Sequence, residues 1–157
     1  MGTWNSRGLR GSTLEDLINR TNEQYEELGL ALIQKIPTPI TPVQIDKEHR
    51  HITLAYFDKI STVDYIGAVQ GIPICFDAKE CSADTFPLQN VHEHQIKHIR
   101  NVLSQKGIVF LIIKLAEKYY LLPGDVFLNF VDNKERKSIP ANFLENNAYP
   151  LFLKLRG

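Results

Sequence analysis

Cysteine is scarce in this chain. Cys75 and Cys81 are the only two, too few for a disulfide framework and, without added histidines, for a four-ligand zinc site. A reduced, cytosolic setting is the natural expectation. A long apolar run is missing too. The strongest, Ile108–Ile113, is far too short to span a bilayer and reads as a core strand. The N-terminus, MGTWNSRGLRGS, is polar and has no apolar segment of the signal-peptide kind. Nor does one sign of charge dominate: Lys plus Arg and Asp plus Glu stand at 18 each. Composition therefore does not announce a nucleic-acid binder, and any DNA-binding surface requires segregated basic residues. Internal repeats and low-complexity segments are absent.

What is present suits one domain of 157 residues, 43% hydrophobic and 23% charged, with a single core. Ser12-Thr13-Leu14-Glu15 has the form of a capping box. After it Leu14, Leu17, Ile18, Thr21, Tyr25 and Leu28 recur at helical spacing, and Gly29 supplies a stop. Leu30–Ile33 reads as a short buried strand. The stretch Lys35–Pro42 carries Pro37, Pro39 and Pro42, which remove backbone donors and exclude an interior strand or helix. By composition it is a stiff surface segment. It leads to a mostly basic tip, Lys47–His51, and returns as Ile52–Phe57 with strand character. An out-and-back excursion of that length in a small domain is usually functional.

Thr62–Val69 and Ile72–Lys79 are strand-like runs separated by Gln70-Gly71, a hairpin signal. Asn90 is the expected cap of a second helix, with Glu93 three residues on, an apolar stripe of Ile96, Ile99, Val102 and Leu103, and Gly107 as its end. Strands are expected at Ile108–Leu115 and Tyr119–Leu122. Short helices are expected where Pro123 and Pro140 would open them.

The hairpin permits a geometric test. With a two-residue loop at Gln70-Gly71, Asp64 lies directly opposite Asp77 and Thr62 opposite Lys79, all on one face. Opposed Cβ atoms stand about 5 Å apart. Two carboxylates that close must share a proton or a cation, and a hard oxygen-seeking divalent ion such as magnesium fits. In that reading Asp64 and Asp77 hold the ion, and Lys79 faces the charge that grows on a phosphate in the transition state. Gly67 or Pro73 would break the register by introducing a bulge. The plain alternative is an exposed hairpin face with ordinary charges, since D-x12-D-x-K recurs by chance. The setting of Cys75-Phe76 and Ala78, within a half-apolar strand, argues for the site.

The second helix carries His92, Glu93, His94, Gln95, Lys97 and His98. His94 and His98, four apart on one face, suit a transition metal, which gives a zinc hydrolase as an alternative; a polar helix edge is the plainer reading. Gln95 near the helix start is placed to reach the Asp64/Asp77 ion through its carbonyl oxygen.

In order along the chain, Asn5-Ser6-Arg7-Gly8, Thr13-Leu14-Glu15, Lys35-Ile36-Pro37-Thr38-Pro39, Ala55-Tyr56-Phe57, Ser61–Gly67, Phe76-Asp77-Ala78-Lys79-Glu80, Phe86–Asn90, His92-Glu93-His94-Gln95 and Arg136-Lys137-Ser138-Ile139 resemble the RecU-type Holliday junction resolvases of Gram-positive bacteria. The resemblance implies an α/β, restriction-endonuclease-like mixed sheet flanked by helices (the PD-(D/E)XK nuclease fold), forming one nuclease domain over 1–157. A protruding proline-rich stalk would be inserted at about 36–57. It implies a cytoplasmic homodimer that nicks four-way DNA junctions symmetrically with magnesium, or manganese in its place, and that modulates the RecA recombinase. It puts the metal on Thr62, Asp64, Asp77 and Gln95, makes Asp64, Asp77 and Lys79 the catalytic set, and makes the arm a stalk entering the junction centre. The family's second acid is commonly Glu, whereas Asp77 is one methylene shorter; the wider superfamily accepts both. Arg7, Arg10, Lys35, Arg50 and Lys97 are the expected phosphate contacts. The alternative of a different class is a junction-binding accessory protein that does not cut; Asp64, Asp77 and Lys79 argue against it.

Overall fold

The computed structural model describes residues 13–57, 63–133 and 136–152. Thr62, Arg7 and Arg10, named above, lie outside the described residues.

The first helix, α1 (Leu14–Glu27), is capped by Thr13, whose Oγ1 accepts from the Asp16 N–H while the Asp16 carboxylate accepts from the Thr13 N–H. The capping box thus sits one residue later than the Ser12/Glu15 pairing expected from sequence. Gly29, at φ 68°, closes the helix end. Only the first half of the expected stripe is covered: Leu14, Leu17 and Ile18 are buried, while Tyr25 and Leu28 are exposed.

Six strands form the main sheet in the order β1 (Ala31–Lys35), β4 (Tyr65–Val69), β5 (Ile72–Cys81), β7 (Ile108–Leu115), β8 (Lys118–Pro123) and β10 (Tyr149–Leu151). Only β5 and β7 run parallel. Their connection passes through β6 (Thr85–Pro87), a short 3-10 turn at Leu88–Asn90 and α2 (Glu93–Ser104), because parallel neighbours require a crossover. Further on come α3 (Gly124–Asn133), β9 (Ser138–Pro140), which pairs with β6, and α4 (Ala141–Asn147).

The β4–β5 hairpin is uninterrupted. Neither Gly67 nor Pro73 bulges. Gly67 has another role: a Cβ there would lie 2.2 Å from the Leu32 carbonyl oxygen, so only glycine lets β1 approach this closely. Gln70 and Gly71 both take positive φ, 50° and 84°, the geometry of a type I′ turn. Gln70 is held in it by its Nε2, which donates to the carbonyls of Gly29 and Leu30 at 3.1 and 2.9 Å.

Each face of the sheet has its own core. On one, α1 covers Tyr65, Phe76 and Ile112, with Tyr65, Phe76 and Phe110 stacked in a row at 4.8 Å spacing. On the other, α2 and α3 cover Val109, Leu111, Ile113 and Leu122. Cys75 and Cys81 are both free thiols.

The proline-rich arm is an antiparallel hairpin apart from the main sheet, β2 (Ile40–Asp46) with β3 (His51–Phe57). Residues 36–39 are irregular, and β2 begins after them. The register slips beside Pro42, where a ladder donor is missing. The strand expected at Ile52–Phe57 is therefore present as β3, and β2 takes up Ile40–Pro42, the end of the segment expected from composition to be a stiff surface stretch. At the tip Asp46 accepts from the backbone N–H of His49 and pairs with its ring at 2.9 Å; these bonds hold its carboxyl below the ordinary range. Lys47 and Arg50 are exposed beside it.

Candidate active site

Strand alternation on β5 sends Phe76 toward α1 and Asp77 toward α2. Asp77 is 1% exposed and lies beside Leu111 of β7, in the wall of the larger core. Opposite it, just before β4, stands Asp64. Two features fix Asp64: its carbonyl accepts from the Ile36 N–H at 2.7 Å, and its neighbour Tyr65 is buried on the far face, donating to Asn19 Oδ1 at 3.2 Å. Burial, helped by the nearby acids, raises the Tyr65 phenol to about 12, so it stays a donor.

The two acids are cross-linked through backbone. The Asp64 N–H donates to Asp77 Oδ1 at 2.8 Å, and the Ala78 N–H donates to Asp64 Oδ2 at 3.0 Å. The opposed placement expected from the hairpin is therefore present. Burial, and next the negative charge of Asp64, push the Asp77 carboxyl up to about 6; the Asp64 N–H and the Lys79 ammonium pull the other way. A buried acid facing a second acid is the condition a cation relieves. The donors are hard oxygens, suited to an ion of the magnesium type rather than to zinc.

Lys79, two residues along the same face, donates to Gln95 Oε1 at 3.1 Å. Gln95 is 5% exposed, and the same oxygen accepts from the His92 N–H at 3.0 Å. The helix begins at His92 rather than Asn90, because Leu88–Asn90 forms a separate 3-10 turn whose carbonyl at Leu88 takes the Val91 N–H. That shift makes Gln95 the third residue of α2, where a side-chain oxygen reaches back to the cap. The H-x-x-Q spacing is the signal that identifies His92 as the cap, and the Asn90/Glu93 pairing masked it.

His94 does not join a metal cluster. Among the described residues no group of three or more His, Cys, Asp or Glu is gathered to hold an ion, and the His94 ring stacks on His92 at 5.7 Å. The zinc reading of His94 and His98 thus lacks a third ligand. Of the expected phosphate contacts, Lys35 is ion-paired with Glu15, Lys97 is exposed on α2, and Arg50 is exposed at the far end of the arm. The structure brings Asp64, Asp77, Lys79 and Gln95 together and leaves these three basic residues dispersed. Arg136 and Lys137 received no role from sequence. The β6–β9 pairing carries them, exposed, to the turn before α2, where the Lys137 carbonyl accepts from the Leu88 N–H at 2.9 Å.

A family model described as RecU, Recombination protein U, matches residues 9–157. A protein named Holliday junction resolvase RecU from Lactococcus lactis subsp. cremoris is 45% identical over 151 residues, covering 92% of this chain and 71% of that one. Its namesake from Bacillus subtilis is 44% identical over 151 residues, covering 92% and 73%. Among solved structures, Archaeoglobus fulgidus Hjc, a Holliday junction resolvase from an archaeal hyperthermophile, superposes with a TM-score of 0.53 at 6% identity, over 85% of this chain and 93% of that one. At that identity the likeness concerns the fold alone: a restriction-endonuclease-like mixed sheet between helices.

Proposed function

The chain belongs to the RecU family, and from that premise we propose that it is a Holliday junction resolvase: a homodimeric endonuclease that nicks four-way DNA junctions symmetrically, using magnesium, or manganese in its place. The observation that carries the reading is the cross-linked pair Asp64 and Asp77 with Lys79 on the same strand face. An accessory protein that only binds junctions has no use for a buried acid held near 6 against a second acid.

Asp64 and Asp77 would hold the ion, which supplies Lewis-acid activation of water and phosphate. The protein's share is preorganisation. Backbone N–H groups orient both carboxylates, so little rearrangement accompanies ion capture. Lys79 presents a fixed positive charge beside them, where a phosphate under attack gains negative charge. Recognition rests on junction shape and phosphate positions.

The homodimer is supported by the arm. Ile40, Val43, Ile45, Ile52, Leu54 and Tyr56 are each between 41% and 65% exposed on a two-stranded hairpin, which buries too little apolar surface to stand alone in water. A second copy of the hairpin covers them, and twofold symmetry matches a substrate that needs paired cuts. The arm, about 36–57, is then an insertion in a single nuclease domain, carrying the Lys47/Arg50 tip into the junction centre. No described helix is long and apolar enough to cross a membrane; a DNA substrate supports a cytoplasmic setting.

The test is incubation with a labelled four-way junction and a linear duplex, with and without magnesium. Paired nicks confined to the junction and dependent on the ion are the expected outcome. Binding without cleavage at any magnesium concentration would leave only the accessory role.

A further inference from the structure

The arm tip is where cations are to meet phosphate, yet an acid stands in it. Lys47 and Arg50 are offset by Asp46 and Glu48, so residues 46–51 carry no net charge while His49 and His51 are neutral. Attraction to DNA at this tip depends on where its charges point, not on how many there are. Asp46 is the least exposed of the three grouped side chains, at 32% against 67% for His49 and 56% for His51. Both of its oxygens face the loop: Oδ1 accepts from the His49 N–H at 3.1 Å, and Oδ2 lies 2.9 Å from His49 Nδ1 and 3.9 Å from His51 Nε2.

Asp46 ends β2 and pairs across the ladder with His51, the first residue of β3. Between them residues 47–50 turn the chain, with Lys47 first and Arg50 last. Arg50 takes φ 58°, a left-handed conformation that residues with a side chain rarely adopt and keep only where their surroundings impose it. The bond from the His49 N–H to Asp46 fixes the residue just before it. We propose that Asp46 is the positioning residue of the arm tip: it holds the loop in the shape that sets Lys47 and Arg50, and so favours a four-way junction over a duplex without touching DNA itself. A fixed pair of cations distinguishes phosphates gathered around a junction centre from those of a duplex, whereas loose cations serve both alike. The inference rests on the resolvase reading, in which the arm enters the junction.

The test measures affinity for a four-way junction and for a linear duplex at one salt concentration, without magnesium so that no strand is cut. Asp46→Ala removes the bonds and the charge. Asp46→Asn removes the charge but keeps an oxygen for the His49 N–H, a bond that Asn and Asp accept about equally well. The tip is exposed and belongs to neither core, so neither variant threatens the fold. An acid that acted only as a charge would make both variants bind both DNAs more tightly, since one repulsion has gone. Positioning predicts otherwise: Asp46→Ala should bind the junction at least about fivefold more weakly with no loss on the duplex, because preorganisation is lost, while Asp46→Asn should keep the wild-type junction affinity. Added to Lys47→Ala/Arg50→Ala, Asp46→Ala should cost less than about twofold further on the junction, since nothing is left to position. A smaller loss by Asp46→Ala alone, an equal loss by Asp46→Asn, or a larger further loss in the triple variant would overturn the assignment. Wild-type protein with no preference for the junction would overturn the resolvase reading and this assignment with it. A selective wild type whose Asp46→Ala variant is as selective would overturn the assignment alone.

Discussion

Asp77 carries two burdens in the ion-free protein: it is enclosed by the core wall, and it faces Asp64. Both favour its neutral form, which places its carboxyl at about 6 against an ordinary 3.8. Below about pH 4 folded and unfolded chains both carry the proton, and the native state enjoys the full benefit of the raised value. As pH rises from there through 6, that benefit is lost, to the extent of about 3 kcal/mol, since each tenfold gain in proton affinity on folding is worth roughly 1.4 kcal/mol. Asp77→Asn keeps the acceptor for the Asp64 N–H and removes the charge. Thermal unfolding in chelator should show the variant more stable than wild type at pH 7.5, with the gap closing by pH 4 and also closing when magnesium is added to wild type. A variant no more stable at pH 7.5 would mean that the acid is not strained as described. For the same reason magnesium affinity of wild type should fall as pH drops below about 6, since the ion competes with a proton.

At the scale of elements, the β4–β5 hairpin was readable because its two-residue loop fixes the register, and register fixes which side chains meet. From Gln70-Gly71 alone the meeting of Asp64 and Asp77 follows, and the structure shows it in the Asp64 N–H to Asp77 bond. Helix starts were less legible. Thr13 rather than Ser12 caps α1, and His92 rather than Asn90 caps α2, because hydroxyl and amide caps one or two residues apart compete and only packing decides between them. The outer half of the α1 stripe misled for another reason: periodicity reports a potential face, and at Tyr25 and Leu28 no described element covers it. In the arm the returning strand at Ile52–Phe57 was legible, whereas the three prolines hid its partner, Ile40–Asp46. The sequence conveyed the basic tip as well. Lys47→Ala/Arg50→Ala, which spares the apolar residues of the hairpin, should leave circular dichroism of the nuclease sheet in place. It should cut junction affinity sharply while changing duplex affinity far less at one fixed salt concentration, since general phosphate contacts remain. Equal losses on both substrates would make the arm only another basic surface.

At the scale of the whole molecule, a chain with no net charge binds a polyanion only if its cations are placed rather than numerous. Acidic residues crowd the exposed side of α1 (Glu15, Asp16, Glu23, Glu26, Glu27), while the cations stand in separate groups: Lys97 on α2, Arg136 and Lys137 beside the turn that leads into it, and Lys47 and Arg50 at the arm tip. In the proposed homodimer symmetry supplies the rest: two such surfaces, brought together by the apolar hairpins, would face two strands of one junction. Sedimentation equilibrium should find wild type dimeric at micromolar concentration, and the Ile45→Glu/Leu54→Glu variant monomeric with its nuclease sheet intact. A monomeric wild type would remove the arm from the dimer contact.

In the proposed mechanism the opposed acids perform the chemistry, and other parts of the protein bind the DNA. The most direct measurement of that division is junction cleavage and junction binding by Asp77→Asn, at the same salt and magnesium. Cleavage should vanish while affinity stays within about threefold of wild type, because one ion-holding charge is gone and the phosphate contacts, which set affinity, are untouched. Cleavage at the wild-type rate, with binding likewise unchanged, would place the catalytic centre elsewhere in the chain.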